Sequence, residues 1–125
     1  MNNANSLKQN IFYRAKVFIE SIGEFAPFGA KISHEEVKDI VYYDDSEIVD
    51  SSKAVQILEA DILDDFKMCK IQGAAIAFDV SADFKNADGV SEKRDALCLK
   101  LTTDGKDWSE EYFPYMIIDG ECVWR

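Results

Sequence analysis

The sequence predicts an α+β fold from three observations: an apolar stripe of helical period near the N-terminus, a second one at mid-chain, and a change to period two from Ala74 onward, punctuated by Asp-Gly turns. A chain of 125 residues with 47% hydrophobic and 12% aromatic content has the size of one domain. Such a chain buries a core without disulfide or metal staples, so residues 1–125 are expected to form a single domain.

The first helix carries Leu7, Ile11, Ala15, Phe18 and Ile22, spaced by four, four, three and four. Ser6 and Gln9 have the spacing of a capping box, which makes residues 1–5 a frayed lead-in. Gly23 suits a left-handed stop. Phe12, Val17 and Ile19 widen the apolar face, so this helix is expected to be embraced on more than one side, with Lys8, Arg14 and Lys16 on its wet side. Pro27 forbids continuation of the helix and Gly29 offers a flexible corner. Strands at 30–33 and 37–43 follow, joined by the polar tip His34-Glu35-Glu36, and 44–50 forms a loop.

A second helix starts at Ser51 or Ser52, both good N-caps. It carries Val55, Leu58, Ile62, Phe66 and Cys69 and ends near Lys70. Next, Ile76, Phe78, Val80, Ala82 and Phe84 alternate with Ala75, Ala77, Asp79, Ser81 and Asp83, and Leu97, Leu99 and Leu101 alternate with Ala96, Cys98 and Lys100. Strands at 112–118 and 122–124 complete a four-stranded meander. Asp104-Gly105 and Asp119-Gly120 are predicted type I′ turns, Asp88-Gly89 lies in a longer loop, and Pro114 inside its strand predicts a bulge. The expected order is α-β-β-α-β-β-β-β, with both helices on one face of a mostly antiparallel sheet of about six strands. Ala75, Ala77, Asp79, Ser81 and Lys100 then form the outer face, solvated or engaged in an interface.

Charge narrows the function classes. The net charge is −10, and residues 32–65 hold two basic and eleven acidic side chains, against four and two in 1–31 and eight and eleven in 66–125. That field repels nucleic-acid phosphate and anionic lipid and attracts a basic protein surface. No apolar run reaches the roughly 20 residues of a membrane span, and the N-terminus lacks the features of a signal peptide. Cys69, Cys98 and Cys122 are an odd, scattered set without a CxxC pair. They read as reduced thiols in a cytoplasmic chain rather than as a metal or redox centre.

Catalytic and cofactor signatures are missing from the sequence. His34, the single histidine, falls at a hairpin tip, and nothing local brings Cys98 to it. The acidic pairs Asp44/Asp45, Asp64/Asp65 and Glu110/Glu111 lie in loops or on wet faces, and Asp79 with Asp83 on a hydrophilic outer sheet face, not across a cleft. The run 83–89 lacks the alternating ligands of a calcium loop. The six glycines form no phosphate-binding motif, so no cofactor is expected. Tyr42, Tyr43, Trp108, Tyr112, Tyr115 and Trp124 are candidate interface anchors, and equally at home in strands.

The segments Gly23-Glu-Phe-Ala-Pro-Phe-Gly-Ala30, Ala75-Ile-Ala-Phe-Asp-Val80, Asp95-Ala96 and Tyr112-Phe-Pro-Tyr115 resemble those of a family of small uncharacterised bacterial proteins. That resemblance implies no activity. In size, acidity and layout the chain is also similar to immunity proteins of bacterial polymorphic-toxin systems, a likeness of class and not of motif. The expected function is therefore a non-enzymatic acidic protein-binding domain, an immunity-type inhibitor of a basic toxin domain. Its partner-binding residues are Asp44, Asp45, Glu47 and Asp50 from the loop and Asp61, Asp64 and Asp65 from the second helix. The alternatives are a small ligand-binding domain or enzyme with a pocket between helices and sheet, and a structural or homo-oligomer-forming domain using the outer sheet face.

Overall fold

A computed structural model of the chain describes residues 3–41 and 50–124. The elements are α1 (Asn3–Ile22), β1 (Phe28–Ser33), β2 (Glu36–Val41), α2 (Ser51–Lys67), β3 (Gly73–Lys85), β4 (Ser91–Thr102), β5 (Ser109–Ile118) and β6 (Glu121–Trp124). The strands form one six-stranded sheet in the order β2-β1-β3-β4-β5-β6, and every neighbouring pair is antiparallel. The predicted α+β class and element order stand. The N-terminus is less frayed than expected, because the helix already runs from Asn3 and Ala4 packs on the core, which places Ser6 inside it rather than at its cap.

The helices do not share a face. Successive strand residues point to opposite sides, and in β3 Ala75 and Ala77 pack with α1 while Ala74, Ile76 and Phe78 pack with α2. The register sets Ala75 beside Leu101 and Ala77 beside Leu99, and it sets Ile76 beside Lys100 and Phe78 beside Cys98. Ala75, Ala77, Asp79 and Ser81, expected on the outer face, therefore lie on the side of α1, whereas Lys100, expected with them, lies on the side of α2. The sheet is the central layer between two cores, and the β3 alanines let both helices approach it closely.

The sheet curls around α1. Asn10 Nδ2 donates to Asp39 Oδ1 on edge strand β2 at 2.9 Å, and Glu20 Oε2 accepts the Cys122 N–H on the opposite edge strand β6, also at 2.9 Å. Phe12 sets its ring edge-on to both Phe113 and Trp124, at 4.8 Å between centroids. The expected embrace is thus present, with a different stripe: Leu7, Ile11, Ala15 and Ile19 are buried, whereas Phe18 is 37% and Ile22 70% exposed. Near the end of the helix Phe18 reaches the sheet only at its margin, edge-on to Phe28 at 5.5 Å between centroids, and Ile22 overhangs it. Arg14 is not on the wet side. Its guanidinium donates to Gly29 O (2.6 Å) and Ile40 O (3.3 Å) and lies over Phe28, tying α1 to β1 and β2.

Local chemistry accounts for the remaining boundaries. Gly29 is inside β1, where a Cβ would come within 2.8 Å of Ala75 O, so the glycine serves close strand approach instead of a corner. His34 and Glu35 both have positive φ and form a two-residue turn, as do Asp119 and Gly120. Asp104-Gly105 belongs instead to a longer loop in which Asp104 Oδ1 accepts the N–H groups of Lys106 and Asp107, both at 2.8 Å. Pro114 makes no bulge: it pairs with Ala96 where the β4 ladder ends, and the β6 ladder begins at Tyr115. Its missing donor costs the sheet nothing at that junction.

Candidate interaction surface

Helix α2 opens on Asp50, not on a serine: the Asp50 carboxylate accepts the Lys53 N–H at 3.2 Å, and the residue sits in an extended conformation. Ala54, Val55, Leu58 and Ile62 are buried against the sheet, and the Phe66 ring closes over Gly105. Cys69 is not part of the stripe. It lies beyond the helix in the left-handed region, exposed to solvent.

The predicted carboxylates divide by what they touch. Asp50 is occupied as the helix cap. Asp65 is half-buried and pairs with Lys31 at 3.1 Å, fastening α2 to β1. Asp61 and Asp64 are exposed and form no ion pair with any described residue. Asp44, Asp45 and Glu47 lie outside the described residues, as do Tyr42 and Tyr43.

A groove of about 450 Å³ runs between the N-terminal half of α2 and the sheet, lined by Val55, Gln56, Glu59, Phe78, Val80 and Lys100. Its walls are mostly apolar, and its two facing charges are already partnered: Lys100 Nζ pairs with Glu59 Oε1 and stands over the Trp108 ring. Beside it, Glu110 Oε1 accepts the Tyr112 hydroxyl at 2.6 Å and the Cys98 thiol at 3.6 Å. Burial first, and then the Glu110 charge, push the Cys98 thiol up to about 12, while the hydrogen bond to Glu110 lifts Tyr112 to about 12. Cys98 therefore stays a protonated thiol at neutral pH, a poor nucleophile.

Asp79 also borders the groove, but its carboxylate is engaged on the α1 side of β3. It accepts the buried Tyr115 hydroxyl at 2.9 and 3.0 Å. Burial raises its carboxyl to about 6, with Asp95 and Glu24 adding to the rise, while the hydrogen bonds from Tyr115 and the Phe25 backbone oppose it. His34 is separate from both Cys98 and Asp79. Its backbone N–H donates to Gln72 Oε1, and it borders a shallow depression with Lys38, Cys69 and Lys70 at the far end of α2. Among the described residues no group of three His, Cys, Asp or Glu side chains is placed to hold a metal, and no helix is long and apolar enough to cross a membrane.

Of the aromatic anchors, Tyr115 is buried, Trp108 and Trp124 are half-buried, and Tyr112 is exposed. Sequence reasoning passed over Met116, Ile117 and Ile118, all exposed on β5. The available signal was three consecutive large apolar residues before an Asp-Gly turn, a break in strict alternation that a half-buried strand does not need. No protein-family model, curated protein or solved structure matches the chain.

Proposed function

We propose that this chain is a non-enzymatic acidic protein-binding domain, of the immunity-inhibitor kind, that meets a basic surface on a partner protein. The observation that carries the proposal is that Asp61 and Asp64 stand uncompensated on the outward side of α2, at the end of the 32–65 stretch that holds eleven acidic and two basic residues. Asp44, Asp45 and Glu47 belong to the same stretch, and their charges add to that field. Clustered carboxylates of one sign steer a cationic partner and raise its association rate.

The test leaves Asp50 and Asp65 intact, because losing a cap or the Lys31 pair would disturb the fold. Asp44, Asp45, Glu47, Asp61 and Asp64 are replaced by Asn or Gln, and stopped-flow association with a purified, captured partner is measured at low and high salt. The expected result is a fall of about tenfold or more in the association rate at low salt and a flattened salt dependence. An unchanged rate with unchanged salt dependence would refute the proposal.

A second function, binding of a small ligand, is favoured by the groove under α2. Val80→Trp would fill it. If that variant loses a bound metabolite detected by native mass spectrometry while keeping the partner, the groove has its own occupant.

A further inference from the structure

Along β5, Tyr112, Pro114, Met116 and Ile118 share one face by the period of two. It is the face on which α2 lies, but α2 packs on β3 and β1 and leaves this part of the sheet uncovered. Tyr112, Met116 and Ile118 are 48%, 43% and 39% exposed, and Ile117 on the other face is 47% exposed. Single exposed apolar side chains are ordinary, whereas a contiguous set on one strand marks a contact surface. Beyond Pro114 this stretch of β5 pairs only with β6, so the hairpin stands partly clear of the main ladder.

The surroundings say what would fit. Glu110, Asp119 and Glu121 are exposed on this hairpin, and the cations beside them, Lys100 opposite Glu110 and Lys16 within reach of Glu121, are already paired with Glu59 and Glu20. A second copy would bring the same carboxylates and another −10 of charge to the interface. A protein with an apolar ridge flanked by Lys or Arg is complementary in both respects.

We propose that the β5–β6 hairpin is the apolar half of the docking surface and seats a nonpolar ridge or helix face with basic flanks on the partner protein. This rests on the protein-binding function above and adds where the partner is anchored: charge on α2 speeds the encounter, and the hairpin holds the complex.

The test uses a short amphipathic leucine–lysine peptide and a glutamine–lysine counterpart of equal charge, titrated by fluorescence anisotropy against the full chain. The leucine–lysine peptide is expected to bind more tightly, and Met116→Glu or Ile118→Glu to weaken it about tenfold or more, leaving the counterpart unaffected. Circular dichroism checks each fold, and Met116→Ser takes the place of any variant that does not fold. Equal binding of both peptides, or indifference of the leucine–lysine peptide to the hairpin variants, overturns the proposal. So does a concentration-dependent dimer in sedimentation that Met116→Glu abolishes, because the face would then belong to a second copy. Loss of both peptides in an Asp61→Asn/Asp64→Asn variant, with no effect of Met116→Glu, would leave the acidic binding function standing and the hairpin without a part in it.

Discussion

Asp79 sits on a long strand with its carboxylate against a buried phenol, and its carboxyl titrates near 6 because burial outweighs its two hydrogen-bond donors. A folded-state pKa above the unfolded value near 3.8 means that the native chain holds this proton more tightly across that interval. Stability from this group is therefore greatest below the interval, falls as pH rises through it, and stays lower above it. Asp79→Asn keeps an acceptor for Tyr115 without the buried charge. It is expected to match the parent near pH 4 and to melt a few degrees higher at pH 7–8, as a thermal-unfolding series would show; parallel curves would mean that the carboxylate is well solvated. Gly29 offers a different test at the same scale. Ala at this position drives a Cβ against Ala75 O, and a loss of about 1–3 kcal/mol in chemical denaturation is expected.

Within α1 the buried stripe and its overhanging end call for opposite outcomes. Ile11→Ala empties a fully buried site and should cost about 2–5 kcal/mol, whereas Ile22→Ala, at an exposed position, should change stability by about 0.5 kcal/mol or less. Denaturant midpoints of the two variants make the comparison, and a large loss at Ile22 would relocate the end of the core. The helical period, the strand alternation and the Asp119-Gly120 turn were legible because each is written in neighbouring residues. The face that each strand presents was not. Ala74 to Ala77 are buried on both sides, so their alternation carries no hydrophobic contrast, and only the pairing of Ala77 with Leu99 reveals which helix lies over them. The Asp50 cap was hidden for a similar reason, since Asp50, Ser51 and Ser52 are all competent caps and the choice depends on where the chain enters from the preceding segment.

Across the whole molecule the acidic excess was legible from composition, but the employment of each carboxylate was not. Asp65 spends its charge on Lys31, thirty-four residues away, and no local pattern announces such a pair. What is left uncompensated repels itself. Raising ionic strength from low to physiological should therefore raise the melting temperature by a few degrees. In the Asp61→Asn/Asp64→Asn variant this gain should shrink, and equal salt responses in parent and variant would show that these two carboxylates lie outside the repulsive field. The half of the surface that composition could not locate is the β5 face, because exposure of Met116 and Ile118 follows from where α2 stops and not from anything near them in the chain.

The grip of Glu20 on the Cys122 backbone joins residues 102 positions apart, and Phe12 waits on Trp124 in the same way. During synthesis the first helix leaves the ribosome long before the strand that closes around it exists. Its apolar stripe must stay unclaimed, or in the care of a chaperone, until β6 appears. Completion of this domain therefore waits for β6: a nascent chain arrested before Cys122 emerges should remain sensitive to protease in α1, and one arrested after Trp124 has emerged should not.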